Sequence, residues 1–401
     1  MPKLLVIAGE FPKASETFVV GHIQGMMRRG WEVAVAAYNV DAAEVKRVFG
    51  ELAPPTFELE ARAAQIRTRG TLGRWWALRR ILGPGHKKLF SPGAGKKQHA
   101  RAAALYEVAR QCRPDVMHAH FGPLGLVASP AARLLGIPLL VNYRGYDFLN
   151  YPAASGWHVY DWLAPDAVAV GHTRFCEDIL RKHLKIPVEH VRRGVNRGRF
   201  NPPERRSSWG DSVRLLAVGR LMFSKGHHLA IESLALLGRL HPNVRFELTL
   251  AGGGDFGVTL TTLADTLGVR DRVHLAGSLT HDAVAECMRS ADILLIPSLP
   301  RSDGWVENFC TVASEGIASG LPVVASNHGG IPEAVEGAGV LVPAGSANEL
   351  ARGVAHVMDT RSPAEWSTHA LSKAEDYQDA WMMDDYERVT RGAIDGKFAA
   401  R

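Results

Sequence analysis

The sequence predicts an α/β protein built as two doubly wound, Rossmann-like domains in tandem. Three observations carry that expectation. Short apolar runs alternate with helical stretches almost from the first residue, and such βαβα order builds a parallel sheet with helices on both faces. The alternation stops once, at NPPERRSSWGD (201–211), where two prolines, charges and serines read as a linker, and then restarts. The length of 401 residues exceeds one ordinary core, so two domains are the default.

In the first half, KLLVIA (3–8) reads as a strand, followed by a helix from Ser15, its expected N-cap, to about Arg29. WEVAVAA (31–37), DVMHA (115–119), PLLVNY (138–143) and DAVAV (166–170) supply further short strands. After the linker come RLLAVG (214–219), a helix over 224–240, RFELTLAG (245–252), a helix near 257–267 and RVHLAG (272–277). A helix at 281–289, ADILLIP (291–297), a helix from about Phe309, LPVVAS (321–326) and VLVP (340–343) complete the second half. The expected domains are 1–200 and 201–376, with 377–401 crossing back onto the first. Ligands of such sheets bind beyond the carboxyl ends of the strands, so two facing domains would share a cleft.

Composition narrows the function classes. With 46% hydrophobic and 22% charged residues the chain reads as soluble and globular. No apolar run is long enough to span a bilayer. The N-terminal run is too short for a signal-peptide core. Cys112, Cys176, Cys287 and Cys310 show no CxxC and no regular spacing, which argues against a disulfide framework or zinc site and suits the cytoplasm. Charge is uneven: Arg62 to Arg101 holds eleven Lys or Arg and no acid. Within it, RWWALRRILGPGHKK interleaves tryptophan with arginine, as do helices that rest on anionic lipid headgroups. A solvated face is the plain alternative. Nucleic acid would attract the same charge, but no nucleic-acid fold signature accompanies it.

Two motifs at strand ends bear on chemistry, and one tempting motif does not. Gly252-Gly-Gly-Asp-Phe-Gly257 fits GxGxxG, yet the next strand ends Ala276-Gly277-Ser278 without the acid a dinucleotide's ribose needs. A tight turn with close backbone approach explains those glycines. In VGRLMFSKG, Arg220 and Lys225 follow the first strand of the second domain, where a phosphate would lie. In WVENFCTVASEG, Glu307 and Glu315 stand eight positions apart, which on one helix separates them by about 80°. Glu307 is expected just outside the helix that begins near Phe309, and Glu315 about two turns into it. Uncapped amides at such a helix start donate to an anion or hydroxyl.

GRLMFSKG, the E-x7-E pair and SGLPVVASNHGGIPEAV together resemble the retaining glycosyltransferases of family 4, which have the GT-B fold. The match covers most of residues 213–345. In the first half, GEFPKASETFV, DVMHAHFG and RRGVNRGRF resemble members that build bacterial exopolysaccharides, including the colanic-acid type.

The resemblance implies a hexosyltransferase that takes a UDP- or GDP-linked sugar and retains anomeric configuration, with no metal or cofactor. Arg220 and Lys225 would neutralise the leaving diphosphate, Glu307 would contact the sugar and Glu315 the ribose. The amides of Phe309, Cys310 and Thr311 would meet sugar hydroxyls, Asn308 would belong to the same donor site, and Gly277, Ser278 and Leu279 would meet the base. From the first domain, His120 would be the active-site histidine and Gly9 would face the donor. His118 is expected on the strand's other side. Ser15, Glu16, Arg144 and Asp147 would bind a glycan or lipid-linked acceptor.

This chain departs from the family in having Asn308-Phe309-Cys310 where Gly-Phe-Gly is usual, so that Cys310 would crowd the sugar pocket. Arg144 stands where a histidine is usual and would suit an anionic acceptor. The expected setting is the cytoplasm, peripheral on the inner face of the membrane through 62–101, with no nucleic-acid partner. A non-catalytic nucleotide-sugar-binding partner of a polysaccharide machine and a GT-B phosphorylase or epimerase are the alternative functions.

Overall fold

The structure is a computed structural model that describes residues 1–13, 16–68 and 71–398. Contacts divide the chain into two units. One comprises Met1–His172, Cys176–Val191 and the chain from Met383; the other comprises Thr173–Phe175 and Arg192–Met382. The division falls at Val191–Arg192 rather than after residue 200, and the chain returns to the first unit at Met383 rather than at Tyr377.

The first unit holds a seven-stranded sheet in the order β3-β2-β1-β4-β5-β6-β7. Its strands are β1 (Lys3–Phe11), β2 (Glu32–Val40), β3 (Thr56–Glu58), β4 (Val116–His120), β5 (Leu139–Asn142), β6 (Val168–Gly171) and β7 (Val188–His190). The second unit holds a six-stranded sheet in the order β10-β9-β8-β11-β12-β13. It is built from β8 (Ser212–Val218), β9 (Arg245–Ala251), β10 (Val273–Gly277), β11 (Ile293–Ile296), β12 (Val323–Ser326) and β13 (Gly339–Val342). Every pairing in both sheets is parallel. Central strands such as β4, β5, β11 and β12 are buried along their whole length, which is why they read as continuous apolar runs rather than as alternation.

In each sheet the strand order reverses once, between β1 and β4 and between β8 and β11. At such a switch point the two following loops leave to opposite faces and open a crevice at the carboxyl rim. The glycine run after β9 lies at this rim. A Cβ on Gly252, whose φ is +157°, would lie 1.9 Å from the carbonyl oxygen of Gly219. Close backbone approach is therefore what those glycines permit.

Several elements differ from the sequence expectation. β1 runs on to Phe11 because Glu10 and Phe11 continue the pairing with Asn39 and Val40. The first helix spans Thr17–Arg28, and Ser15, its expected N-cap, lies outside the described residues. That helix buries Val19, His22, Ile23 and Met26, the i, i+3, i+4, i+7 stripe of a packed helix. β3 and β7 are three-residue edge strands too short for a period to show. The presumed linker is anchored in the second unit: Arg205 donates to the carbonyls of Met288, Ala291 and Ser319 at 3.3, 2.5 and 2.9 Å.

The basic block forms the helix Thr71–Leu82, a turn at His86–Leu89 and part of the helix Lys96–Cys112. Its charge is partly answered from just outside, where Glu60 pairs with Arg67, Lys97 and Arg101. On the helix Thr71–Leu82, Ala77, Leu78 and Leu82 are buried, whereas Leu72, Trp76, Arg79 and Arg80 are exposed. Among the described residues no helix is long and apolar enough to cross a membrane.

Candidate active site

The second unit gathers the charged motifs at its switch point. Arg220 follows β8 directly and is exposed. Lys225 closes the turn Phe223–Lys225 that leads into the helix His227–Leu240. Glu307 lies on the loop after β11, is 8% exposed, and receives a hydrogen bond on Oε1 from Lys225 Nζ. The Ser298 hydroxyl donates to the same oxygen at 3.5 Å. His328 Nε2 bonds the Ser298 carbonyl at 3.0 Å, and the Trp305 ring lies 5.6 Å from Lys225 Nζ. The loops after β8 and β11 thus bring a cation and a carboxylate, 82 residues apart in the chain, to one point.

The loop is fixed from the far side by Gly329 and Gly330 of NHGG. The Gly330 amide donates to the Glu307 carbonyl at 2.8 Å, and a Cβ on Gly330 would sit 1.6 Å from the Asn308 carbonyl oxygen. Asn308 is buried, and its side-chain oxygen accepts from the Thr173 hydroxyl at 2.8 Å. These ties keep residues 307–310 out of the helix, which begins at Thr311 rather than near Phe309. Glu315 therefore lies little more than one turn in.

The helix has no side-chain cap. The Thr311 amide bonds the Phe309 carbonyl at 3.1 Å, while the amides of Phe309 and Cys310 have no hydrogen-bond partner among the described residues. Cys310 is buried in the apolar cluster with Ala313, Ile317, Ile331 and Tyr377, so its thiol packs as core. Burial pushes the thiol up to about 12, and nearby Glu307 adds to the push.

Glu315 is 9% exposed, and burial pushes its carboxyl up to about 7 against the pull of Arg193 and Arg199. Arg193 also lies over the Phe309 ring at 5.2 Å. At the end of β10 the Gly277 carbonyl accepts from the Gly252 amide at 2.8 Å. Gly277 and Ser278 are exposed and Leu279 packs partly against the core.

The first unit assembles a second cluster, of buried neutral histidines. His120 is 0% exposed and both its ring nitrogens are engaged: Nε2 with His22 Nδ1 at 3.1 Å, Nδ1 with Asn142 Nδ2 at 3.1 Å. Burial, reinforced by His118 and His22, holds its pKa well below the ordinary value. A neutral imidazole donates through one nitrogen and accepts through the other, so the pair of bonds fixes its tautomer.

His118 does not face away from His120. Their rings stack at 5.1 Å with 3° between planes, because side-chain alternation has a period of two and residues i and i+2 share a face. Burial brings the His118 pKa down to about 3. Tyr386, from the C-terminal helix Asp379–Ile394, stacks on His22 at 4.3 Å and accepts from Arg144 Nη2 at 3.0 Å.

The expected acceptor residues have different fates. Asp147 is fully buried and accepts from the amides of Arg144, Gly145 and Gly122 at 2.8, 2.9 and 3.1 Å, which ties the turn after β5 to the helix after β4. Those bonds leave it no exposed oxygen for a ligand. Arg144 is half-buried beneath Phe18, 4.0 Å from the ring centre. Glu16 pairs with Lys13 at 3.1 Å. Gly9 lies within β1, with open space where a Cβ would point.

Sequence reading missed His22, Asn142 and Tyr386, and in the second unit Thr173, Arg193, Ser298 and Trp305. His22 carried a signal, since a histidine in a buried helical stripe needs a partner. The others have none: Ser298 acts within its own loop, and the rest act through segments remote in the chain.

Two parallel-sheet α/β units with cationic and acidic side chains at a switch point define a sugar- or nucleotide-handling protein of GT-B architecture. The comparisons place it more closely. The glycosyltransferase family 4 pattern matches residues 15–199 and the glycosyl transferases group 1 pattern matches 204–373. The amylovoran biosynthesis glycosyltransferase AmsK of Erwinia amylovora is 30% identical, over 87% of this chain and 89% of its own. WcaL of Escherichia coli, a glycosyltransferase named for colanic acid biosynthesis, is 28% identical over 91% and 93%. The chain belongs to the family 4 glycosyltransferases. Among solved structures, a Rickettsia africae glycosyltransferase superposes with a TM-score of 0.74 at 15% identity, covering 98% of this chain and 99% of its own. Anabaena HepE, solved with UDP, superposes at 0.72 and 17%, covering 98% and 100%. These likenesses establish the fold.

Proposed function

We propose that the protein transfers a sugar, with retention, from a nucleoside-diphosphate donor to a glycan or lipid-linked saccharide in exopolysaccharide biosynthesis. The observation that carries this reading is the pairing of Lys225 with Glu307 at the β8/β11 switch point, with Arg220 on the same loop after β8 and Glu315 one turn into the helix beyond. Arg220 and Lys225 supply fixed positive charge where a departing diphosphate needs it, and preorganised charge is the largest single contribution most active sites make. On this reading that charge takes the place of a metal ion. The open amides of Phe309 and Cys310 offer donors to sugar hydroxyls. The names of the amylovoran and colanic-acid relatives favour an exopolysaccharide acceptor, and HepE favours UDP as a first donor to try. His120 reaches a substrate only if it exchanges its bond with His22.

Thermal-shift screening of UDP- and GDP-sugars tests the donor, since a ligand specific to the folded form raises Tm. Transfer assayed in EDTA, with Lys225→Ala as control, tests the chemistry. Unchanged turnover in Lys225→Ala would refute the site and favour a binding partner; turnover that requires phosphate would favour a phosphorylase.

A second reading concerns place of work. Leu72, Trp76, Arg79 and Arg80 share the exposed face of the helix Thr71–Leu82, and we infer that this face rests on anionic lipid at the inner membrane surface. Exchanging Arg79 and Arg80 for Glu should release the protein from phosphatidylglycerol vesicles; retention would show the face to be merely solvated.

A further inference from the structure

The two cations of the site are in different states. Arg220 is exposed and makes no ion pair among the described residues. Lys225 has 23% of its side chain exposed and is already neutralised by Glu307. The Glu307 oxygen that holds Lys225 has one other partner, the Ser298 hydroxyl at 3.5 Å. The Trp305 ring flanks the ammonium at 5.6 Å. A carboxylate this deeply buried depends on its partner, because an unpaired buried charge is costly. Any anion that takes Lys225 must therefore displace a carboxylate already there.

We propose that Glu307 is the internal counter-anion of Lys225, and that this exchange makes the site select an intact sugar nucleotide over a free nucleoside diphosphate. The proposal rests on the donor reading above. A free diphosphate that takes Lys225 strands Glu307 with Ser298 alone. An intact donor brings, beyond its phosphates, sugar hydroxyls that donate to the carboxylate Lys225 has left. The donor thus replaces what it removes, and the free diphosphate does not. Once the sugar has been transferred, Glu307 loses those hydroxyls, returns to Lys225 and drives the diphosphate out. Glu307 in this role determines specificity and product release, and the exposed Arg220, on the same loop as Lys225, provides first capture of either ligand.

The test is calorimetric titration, without acceptor, of UDP, UDP-glucose, GDP and GDP-mannose into wild type, Glu307→Gln, Lys225→Ala and the double variant. Glu307→Gln removes one negative charge beside the phosphate, so the bound diphosphate should tighten at least about tenfold. The sugar nucleotide should gain little, so the wild-type preference for it shrinks by a similar factor. In the Lys225→Ala background only the direct repulsion between carboxylate and phosphate is left to relieve, so Glu307→Gln should tighten the diphosphate by clearly less than it does with Lys225 present.

If Glu307 merely ties the loop to the turn at 223–225, Glu307→Gln lowers the ligand-free Tm and weakens both ligands together. That outcome, or an unchanged ratio between the two ligands, overturns the proposal while leaving the donor reading intact. Failure of all four ligands to bind wild type and every variant overturns the donor reading, and this proposal with it.

Discussion

Replacing Glu315 with Gln should stabilise the protein, and by an amount that depends on pH. Burial raises the carboxyl from the ordinary 4.5 to about 7, with Arg193 and Arg199 too weak to offset it. Between those values the folded protein holds a proton that the unfolded chain has released. Stability therefore falls as pH rises through that window and levels off above it. A gap of about 2.5 pH units corresponds to roughly 3 kcal/mol. Glutamine keeps the shape and hydrogen-bonding reach without the ionisable proton, so it should recover most of that at pH 8 and little at pH 5. Urea titrations of the two proteins at both pH values, followed by tryptophan fluorescence, measure the difference. An equal gain at both pH values, or a loss at pH 8, would refute the assignment of burial as the dominant cause. The same substitution should weaken donor binding at pH 8 if the ionised carboxylate receives the ribose hydroxyls.

The histidine cluster predicts the opposite slope. His118 is held neutral down to about pH 3, below its unfolded value of about 6.5, so its contribution is whole above 6.5 and is lost as pH falls towards 3. His118→Leu should flatten the acid limb of stability by one proton's worth, read from urea midpoints at pH 6.5 and 4.5. Gly330→Ala would force the Asn308 carbonyl, 1.6 Å from the new Cβ, to move. We expect a loss of about 1–3 kcal/mol and a larger proportional loss of donor affinity, since Glu307 moves with the loop. Asp147→Ala leaves three buried amides without their acceptor and should cost about 2–4 kcal/mol in a urea titration.

Much of this protein is written locally. Buried parallel strands announce themselves as apolar runs because both faces are covered, so KLLVIA and ADILLIP place β1 and β11 without any structure. Arg220, Lys225, Glu307 and Glu315 stand out because charge at the carboxyl end of such a strand is unusual and its spacing is short-range. The elements that escaped were those too short to show a period, β3 and β7, and those whose meaning depends on a distant segment. The linker at 201–211 looked free because prolines and charges look solvated; only the fold shows Arg205 gripping three carbonyls.

The sequence by itself determined the fold class and the family and singled out the charged residues of the candidate site, since periodicity and motif spacing are properties of neighbours along the chain. Only the tertiary structure decided which charges meet. It brought Lys225 to Glu307 across 82 residues, spent Asp147 on backbone amides, and closed His22, Asn142 and Tyr386 around His118 and His120. Burial then set the protonation of Glu315 and the histidines. Burial is a sum over contacts from many segments, and no single stretch of sequence contains it.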